Sequence, residues 1–256
     1  MKNKILLTAV VLSTISTQVF AADNDCTGLP TNALLLSSLK AVVVTGAGGT
    51  GTAKATGIGS AAGNGGLDFP MWATVVNQYG KVCAIATSGG SGSTQRAWPL
   101  SRVISAQKAN TANALSTDTF AISTANLYSA VQPGGSLYGL QHSNPLNTLV
   151  GYRGDATTFG TPSDPMVGLR PGGVNVFGGG LALYSGGKLI GALGVSGDTS
   201  CADHNIAWAM RKQLTMDAVP SGVTNNTDNI QYPASVGTVP SGWQHPLCAA
   251  GLAAPN

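Results

Sequence analysis

Glutamate is absent from this chain. All ten acidic residues among its 256 are aspartates, and acids and bases together make up only 9%, against roughly 25% in an ordinary soluble domain. Without glutamate there is no His-Glu-x-x-His zinc helix, no Glu-terminated calcium loop and no glutamate general base. The formal net charge is +3, too small for the basic stripe that tracks a phosphate backbone, so a nucleic-acid partner is excluded. No run of like charges marks an acidic or basic tail. This shortage of charge does not signal disorder, because disordered chains are charge-rich and poor in apolar residues, and 43% of this chain is hydrophobic. What is abundant is glycine, at 35 residues, near twice its usual share of about 7%. Together these describe a compact globular protein with a surface of Gly, Ser, Thr and Asn.

The first residues read as a secretory signal. Met1-Lys2-Asn3-Lys4 is a basic start, Ile5 to about Leu12 an apolar run, and Val19-Phe20-Ala21 a small-residue cleavage site. The run is shorter than the roughly 20 residues a membrane helix needs. Cleavage after Ala21 removes Lys2 and Lys4 and leaves a net charge of +1. The expectation is a periplasmic or secreted protein with no membrane span in the mature chain. Four cysteines follow, Cys26, Cys83, Cys201 and Cys248. An even number in an exported chain points to disulfides. Three connectivities are open; the preferred one pairs Cys201 with Cys248 and Cys26 with Cys83, since both the irregular tail and the mature N-terminus need an anchor. A metal site would need clustered ligands such as Cys-x-x-Cys, and there are none.

Along the chain, a helix is expected over about Thr31–Val43, then a Gly-rich loop to Gly66. Met71–Val76 and Lys81–Thr87 read as strands around a turn at residues 77–80. A helix capped by Ser101 runs to about Ser116, and a second covers Ser123–Val131. Residues 132–171 read as loop. Val174–Phe177, Leu181–Tyr184 and Lys188–Val195 read as two or three antiparallel strands with tight turns. A helix spans about Cys201–Leu214, with Asp203 reaching back to the Ser200 amide as a capping box. The order suggests one antiparallel sheet with helices packed on it, an α+β fold. The chain then divides into a signal (1–21), an N-terminal helix and Gly-rich region (22–69), a central domain (70–216) and an irregular tail (217–256).

Several motifs invite chemistry. Gly46-Ala-Gly48-Gly-Thr-Gly51 satisfies G-x-G-x-x-G, and Asp68 follows at a suitable distance, but no long apolar helix or second strand intervenes as a dinucleotide fold requires. Gly194-Val-Ser196-Gly197 resembles a nucleophile elbow without its last glycine; Asp203 and His204 are too close in sequence to serve Ser196 both as acid and base, which leaves His245. Of the three histidines, His204 stands beside an apolar helix face, while His142 lies in a polar loop. Trp72, Trp98, Tyr138, Met166, Phe177 and Met210 either line an apolar pocket or simply fill the core.

Three blocks carry a family resemblance. Ser101-Arg-Val-Ile-Ser-Ala-Gln-Lys108-Ala-Asn-Thr111-Ala, Gly172-Gly-Val, and Gly191-Ala-Leu-Gly-Val-Ser-Gly-Asp198 with Asp203 beyond it resemble the GlcG/HbpS family of heme-binding and heme-degrading proteins, over about residues 70–214. The resemblance implies a profilin-like fold with an antiparallel sheet of about five strands, assembly as a homo-oligomer, and heme or another tetrapyrrole as cofactor. A heme site needs an apolar slot, an axial donor and cations for the propionates. The candidates are His204, then His142, as axial ligand; Arg96, Arg102 and Lys108 for the propionates, unless Arg102 and Lys108 merely form a solvated helix face; and Thr111 on the family helix. The expected function is exported heme binding rather than catalysis. The alternatives are a periplasmic heme-degrading or other small-molecule enzyme, and a non-catalytic interaction module.

Overall fold

The computed structural model describes residues 25–45, 51–53, 66–67, 69–90, 97–223, 226–249 and 254–255. The expected signal segment, Asp68, Arg96 and most of the Gly-rich stretch lie outside these residues.

Helix α1 (Asn32–Val42) opens with Thr31, whose side chain accepts from the Leu34 amide. It runs directly into β1 (Val43–Thr45), which pairs antiparallel with β2 (Gly51–Ala53) as a small ribbon where the sequence predicts a loop. The main sheet is built from β3 (Trp72–Asn77), β4 (Val82–Thr87), β5 (Gly180–Ser185) and β6 (Lys188–Ser196), antiparallel throughout in the order β4-β3-β6-β5. Two hairpins supply it. At the first, Asn77 folds its own side chain back to accept from the Tyr79 and Lys81 amides. At the second, Gly186 and Gly187 adopt φ of +55° and +74° between paired Ser185 and Lys188, the conformation that a two-residue hairpin turn demands.

Among the described residues the sheet has four strands rather than about five, because Val174–Phe177 is not a strand. Gly172 and Gly173 turn the chain with φ of +63° and +82°. The Asn175 amide then donates to Thr111 Oγ1, and Gly173 O accepts from Asn110, so this segment bonds to a helix and not to a strand edge. The helix expected over Ser123–Val131 is likewise shortened to one turn, Leu127–Ala130. Both the amide and hydroxyl of Ser123 donate to Asn126 Oδ1, a local turn that displaces the helical bonds. Two further single turns, Leu140–Ser143 and Thr148–Gly151, punctuate the long connection.

Helix α2 (Pro99–Ala114) starts from Trp98 with Pro99 in its first turn, where proline's missing N–H costs nothing. Ser101 is inside the helix and does not cap it. Helix α3 (Ser200–Gln213) is capped by Thr199, which accepts from Ala202 N. Both faces of the sheet are covered. Leu35 and Leu39 of α1 and Ile206 and Met210 of α3 pack on Val75, Ala84, Leu181 and Leu193. On the opposite face, Ala106 and Ala109 of α2 pack on Trp72, Val76, Ile85 and Ala192. Two-sided burial explains why the strands read as nearly unbroken apolar runs. The result is an α+β sandwich of helix, antiparallel sheet and helix.

Two disulfides, Cys26–Cys83 and Cys201–Cys248, fix the two ends to this sandwich, the pairing preferred on grounds of anchoring. Among the described residues no helix is long and apolar enough to cross a membrane.

Candidate functional site

Helix α2 is pressed between the sheet and the long connection, so even its polar residues are buried: Arg102, Ser105, Lys108 and Thr111 are all within a few per cent of full enclosure. A buried cation needs a partner, and the structure supplies one for each. Arg102 Nε donates to Asp164 Oδ2 at 2.9 Å, its Nη2 pairs with Asp164 Oδ1, and its Nη1 donates to Gly151 O at 2.7 Å. The Gly160 and Met166 amides complete the shell of that carboxylate. Lys108 Nζ donates to Asp203 Oδ2 at 2.5 Å and to Val195 O at 3.0 Å. Arg102 and Lys108 are therefore not a solvated helix face. Their charges join α2 to the long connection and to α3.

Asp203 also does other work than the expected capping box. Its Oδ1 accepts from the Asp198 amide at 3.0 Å, on the turn between β6 and α3. Burial pushes its pKa up to about 6, against the lowering pull of Lys108. Thr111 donates to Gln107 O and accepts from Asn175 N, holding the 172–177 segment on α2.

His204 is fully enclosed, next to Asp203 on α3. Ile230 N can only donate, and it donates to His204 Nε2 at 3.1 Å. Ile230 N also donates to Asn229 Oδ1, at 2.8 Å, and that oxygen lies 3.3 Å from Nε2, while Nδ1 has no partner. The ring stacks on Trp208 at 6.0 Å. Loss of solvent pushes its pKa down to about 3. His142 sits on the single turn Leu140–Ser143 and is exposed. The structure thus pairs Lys108 with Asp203 of α3, turns His204 to the tail at Asn229 and Ile230, sends Arg102 to Asp164 in the long connection, and leaves His142 on the surface.

On that far side, beside Arg102, lies an apolar cavity of about 580 Å³ lined by Trp72, Ala97, Pro99, Leu100, Tyr152, Ala156 and Phe159. That is within the roughly 300–1,000 Å³ of small-molecule sites, which are likewise mostly apolar with few polar groups. The Arg102 guanidinium lies over the Phe159 ring at 3.7 Å and stiffens this wall from behind. The indole N–H of Trp72 donates to Trp98 O, and among the described lining residues the Tyr152 hydroxyl is the side-chain oxygen. Of the aromatics and methionines that stand out in the sequence, Trp72 lines the cavity; Met166 and Met210 fill the core, and Trp98, Tyr138 and Phe177 are exposed. Tyr152 and Phe159 escape sequence reasoning, because they fall in the connection that reads as loop, where no periodicity marks a wall.

A second cluster forms where the tail returns. His245 is buried, with Nε2 at 2.9 Å from Ser200 Oγ and Nδ1 at 2.8 Å from Pro246 O. Both its ring nitrogens are engaged, so it does not serve Ser196, which ends β6 paired with Trp72. The Sγ atoms of Cys201 and Cys248 and a His245 nitrogen lie within 4.8 Å of one another, but the two sulfurs are bonded together and offer no thiolate to a metal.

The family described as haem degrading protein HbpS-like matches residues 52–212. No curated protein matches the sequence. Among solved structures, the chain is similar to the Klebsiella pneumoniae protein ORFY of family DUF336, with 29% identity over 57% of this chain and 75% of that one, at a TM-score of 0.37. It is also similar to the protein of a PduOC:heme complex, with 28% identity over 56% of this chain and 77% of that one, at the same TM-score of 0.37.

Proposed function

The chain belongs to the HbpS-like family of haem degrading proteins, and from that premise we propose that it binds heme or a related tetrapyrrole in the cavity beside α2. The observation that carries this reading is the cavity itself, ligand-sized and walled by Trp72, Leu100, Tyr152 and Phe159. These residues suit the group. Trp72 and Phe159 offer flat apolar faces to a macrocycle, and Pro99, Leu100 and Ala156 exclude water from its edge. Tyr152 offers an oxygen to the iron, as tyrosine does in some heme proteins. His204 suits it poorly: its ring has no open face, and its Nε2 is already in contact with Ile230 N and Asn229 Oδ1. When bound, heme would supply a redox-active iron; the chain's own residues hold and shield it. Arg153, exposed and next to Tyr152 in sequence, is the cation proposed to meet a propionate, in place of Arg102 and Lys108, whose aspartates hold them.

The proposed setting is an oxidising compartment outside the cytoplasm, which the two disulfides support. Assembly as a homo-oligomer is part of the proposal and is read by light scattering of the purified protein. The test of binding is a hemin titration of the mature protein. A saturable Soret shift at one equivalent is expected, altered by Tyr152→Phe, weakened by Leu100→Arg and unmoved by His204→Gln. A titration with no saturable shift overturns the reading, and a shift lost only in His204→Gln moves the site to α3. Decay of the bound Soret band with ascorbate, absent from a protein-free control, would add heme degradation to binding.

A further inference from the structure

The cluster at the start of α3 has the parts of an acyl-transfer site. We propose that Ser200 is a nucleophile activated by His245, and that the pair accepts small activated acyl groups such as aryl esters or thioesters. Ser200 Oγ lies 2.9 Å from His245 Nε2, and His245 Nδ1 lies 2.8 Å from Pro246 O. A carbonyl only accepts, so Nδ1 carries the proton and the Nε2 lone pair faces the serine hydroxyl. This is the ordering of nucleophile, base and orienting group that serine hydrolases use, with a backbone carbonyl in the third place. Ser200 is half-buried and so open to a small molecule, while His245 is enclosed.

Two further observations point to a bound oxygen. Ser200 and Cys201 begin α3, and the Thr199 cap satisfies Ala202 N and Asp203 N. Among the described residues nothing accepts from the Ser200 and Cys201 amides, and the amide after a nucleophile is the usual donor to a developing oxyanion. In addition, Tyr232 stands edge-on to the His245 ring at 6.5 Å, with a buried hydroxyl that has no hydrogen-bond partner. The Cys201–Cys248 disulfide ties the His245 segment to the helix start and fixes the pair's geometry.

In the reaction, Ser200 Oγ bonds to the acyl carbon and its proton passes to His245 Nε2. The bond to the leaving group breaks, and the leaving oxygen or sulfur takes that proton. Water then attacks the acyl-serine, giving its proton through His245 to Ser200 Oγ. Burial, with a smaller push from Lys108, lowers the His245 pKa to about 4 despite the hydrogen bond to Pro246. The imidazole is therefore neutral at pH 7 but a weak base, which suits activated acyl groups and not amides.

The test treats the full mature protein, disulfides intact, with a fluorophosphonate and with p-nitrophenyl acetate. A single adduct on the peptide containing Ser200 and a burst of p-nitrophenolate are expected. Ser200→Ala should abolish the adduct, and His245→Gln should slow labelling about a hundredfold, the usual worth of a positioned base. The groups facing His245 are Lys108, Tyr128, Tyr232 and His204. With these around it, labelling should be level from about pH 5.5 to 8. Absence of an adduct, an adduct that survives Ser200→Ala, or a rate rising tenfold per pH unit as with free hydroxide overturns the proposal. The pH profile uses the unmutated protein and decides the matter even if His245→Gln fails to fold.

Discussion

Lys108 and Asp203 are both withdrawn from water and pair at 2.5 Å. Desolvation lowers the pKa of the lysine and raises that of the aspartate, while each charge pulls the other back toward ionisation. Such a pair adds little beyond an apolar pair of the same volume, yet breaking it strands a charge at a cost of about 3–5 kcal/mol. Lys108→Met should therefore destabilise by about that amount in urea unfolding. Lys108→Met with Asp203→Leu should recover most of it, and a single variant costing as little as the double would contradict the pairing. The sequence marks Lys108 and Arg102 as residues of a motif helix but not their partners. Asp164 lies 62 positions from Arg102, and Asp203 lies 95 from Lys108, so the choice belongs to tertiary packing. The same limit governs the histidines. Apolar neighbours mark His204 as a helix residue on a buried face, but the stretch of tail that meets its Nε2, Asn229–Ile230, carries no periodic signal. The elbow-like motif offers His245 to Ser196, four positions short of the serine it meets.

Helix α2 crosses β6 where Gly194 has no side chain. A Cβ there would run into Ser105 O and Ala109 N, both backbone atoms of the helix. Neither can move aside as a flexible side chain does. Gly194→Ala should therefore force α2 off the sheet and cost at least about 3 kcal/mol, the upper end of overpacking. A thermal midpoint equal to that of the unmutated protein would show that the helix stands clear of the strand. The hairpins of the sheet are legible in the sequence because alternation and turn glycines act within a few residues. The long helices are legible from their apolar spacing and from the cap and turn residues around their ends. What is not legible has a local competitor invisible to periodicity: the Ser123–Asn126 turn replaces a helical turn, and Asn110 and Thr111 draw the 172–177 segment away from a fifth strand. The cavity wall at Tyr152 and Phe159 depends on short turns in a connection whose path is set by the Arg102–Asp164 pair, and no sequence pattern encodes it.

Over the whole molecule, the scarcity of charge makes acid sensitivity depend on a few buried groups. Burial holds the pKa of His204 at about 3 and that of His245 at about 4, both below the ordinary value of 6.5. As pH falls below 6.5, the unfolded chain takes up two protons that the folded protein refuses. The histidine contribution is therefore full above that pH and is lost as pH falls toward the two folded values. Asp203 acts in the opposite sense. Its folded pKa of about 6 exceeds the unfolded 3.8, so its contribution is full below 3.8 and is lost as pH rises through 6. A tenfold difference in proton affinity between the folded and unfolded chain is worth about 1.4 kcal/mol. On that scale two histidines outweigh one aspartate, and a net loss of about 2–4 kcal/mol is expected between pH 7.5 and 4.5. Urea unfolding at the two pH values measures it. His245→Gln should flatten the dependence, whereas Asp203→Asn should steepen it, because the opposing group is gone. A protein more stable at pH 4.5 than at 7.5 would mean that Asp203 dominates and that the two imidazoles are reached by water in solution.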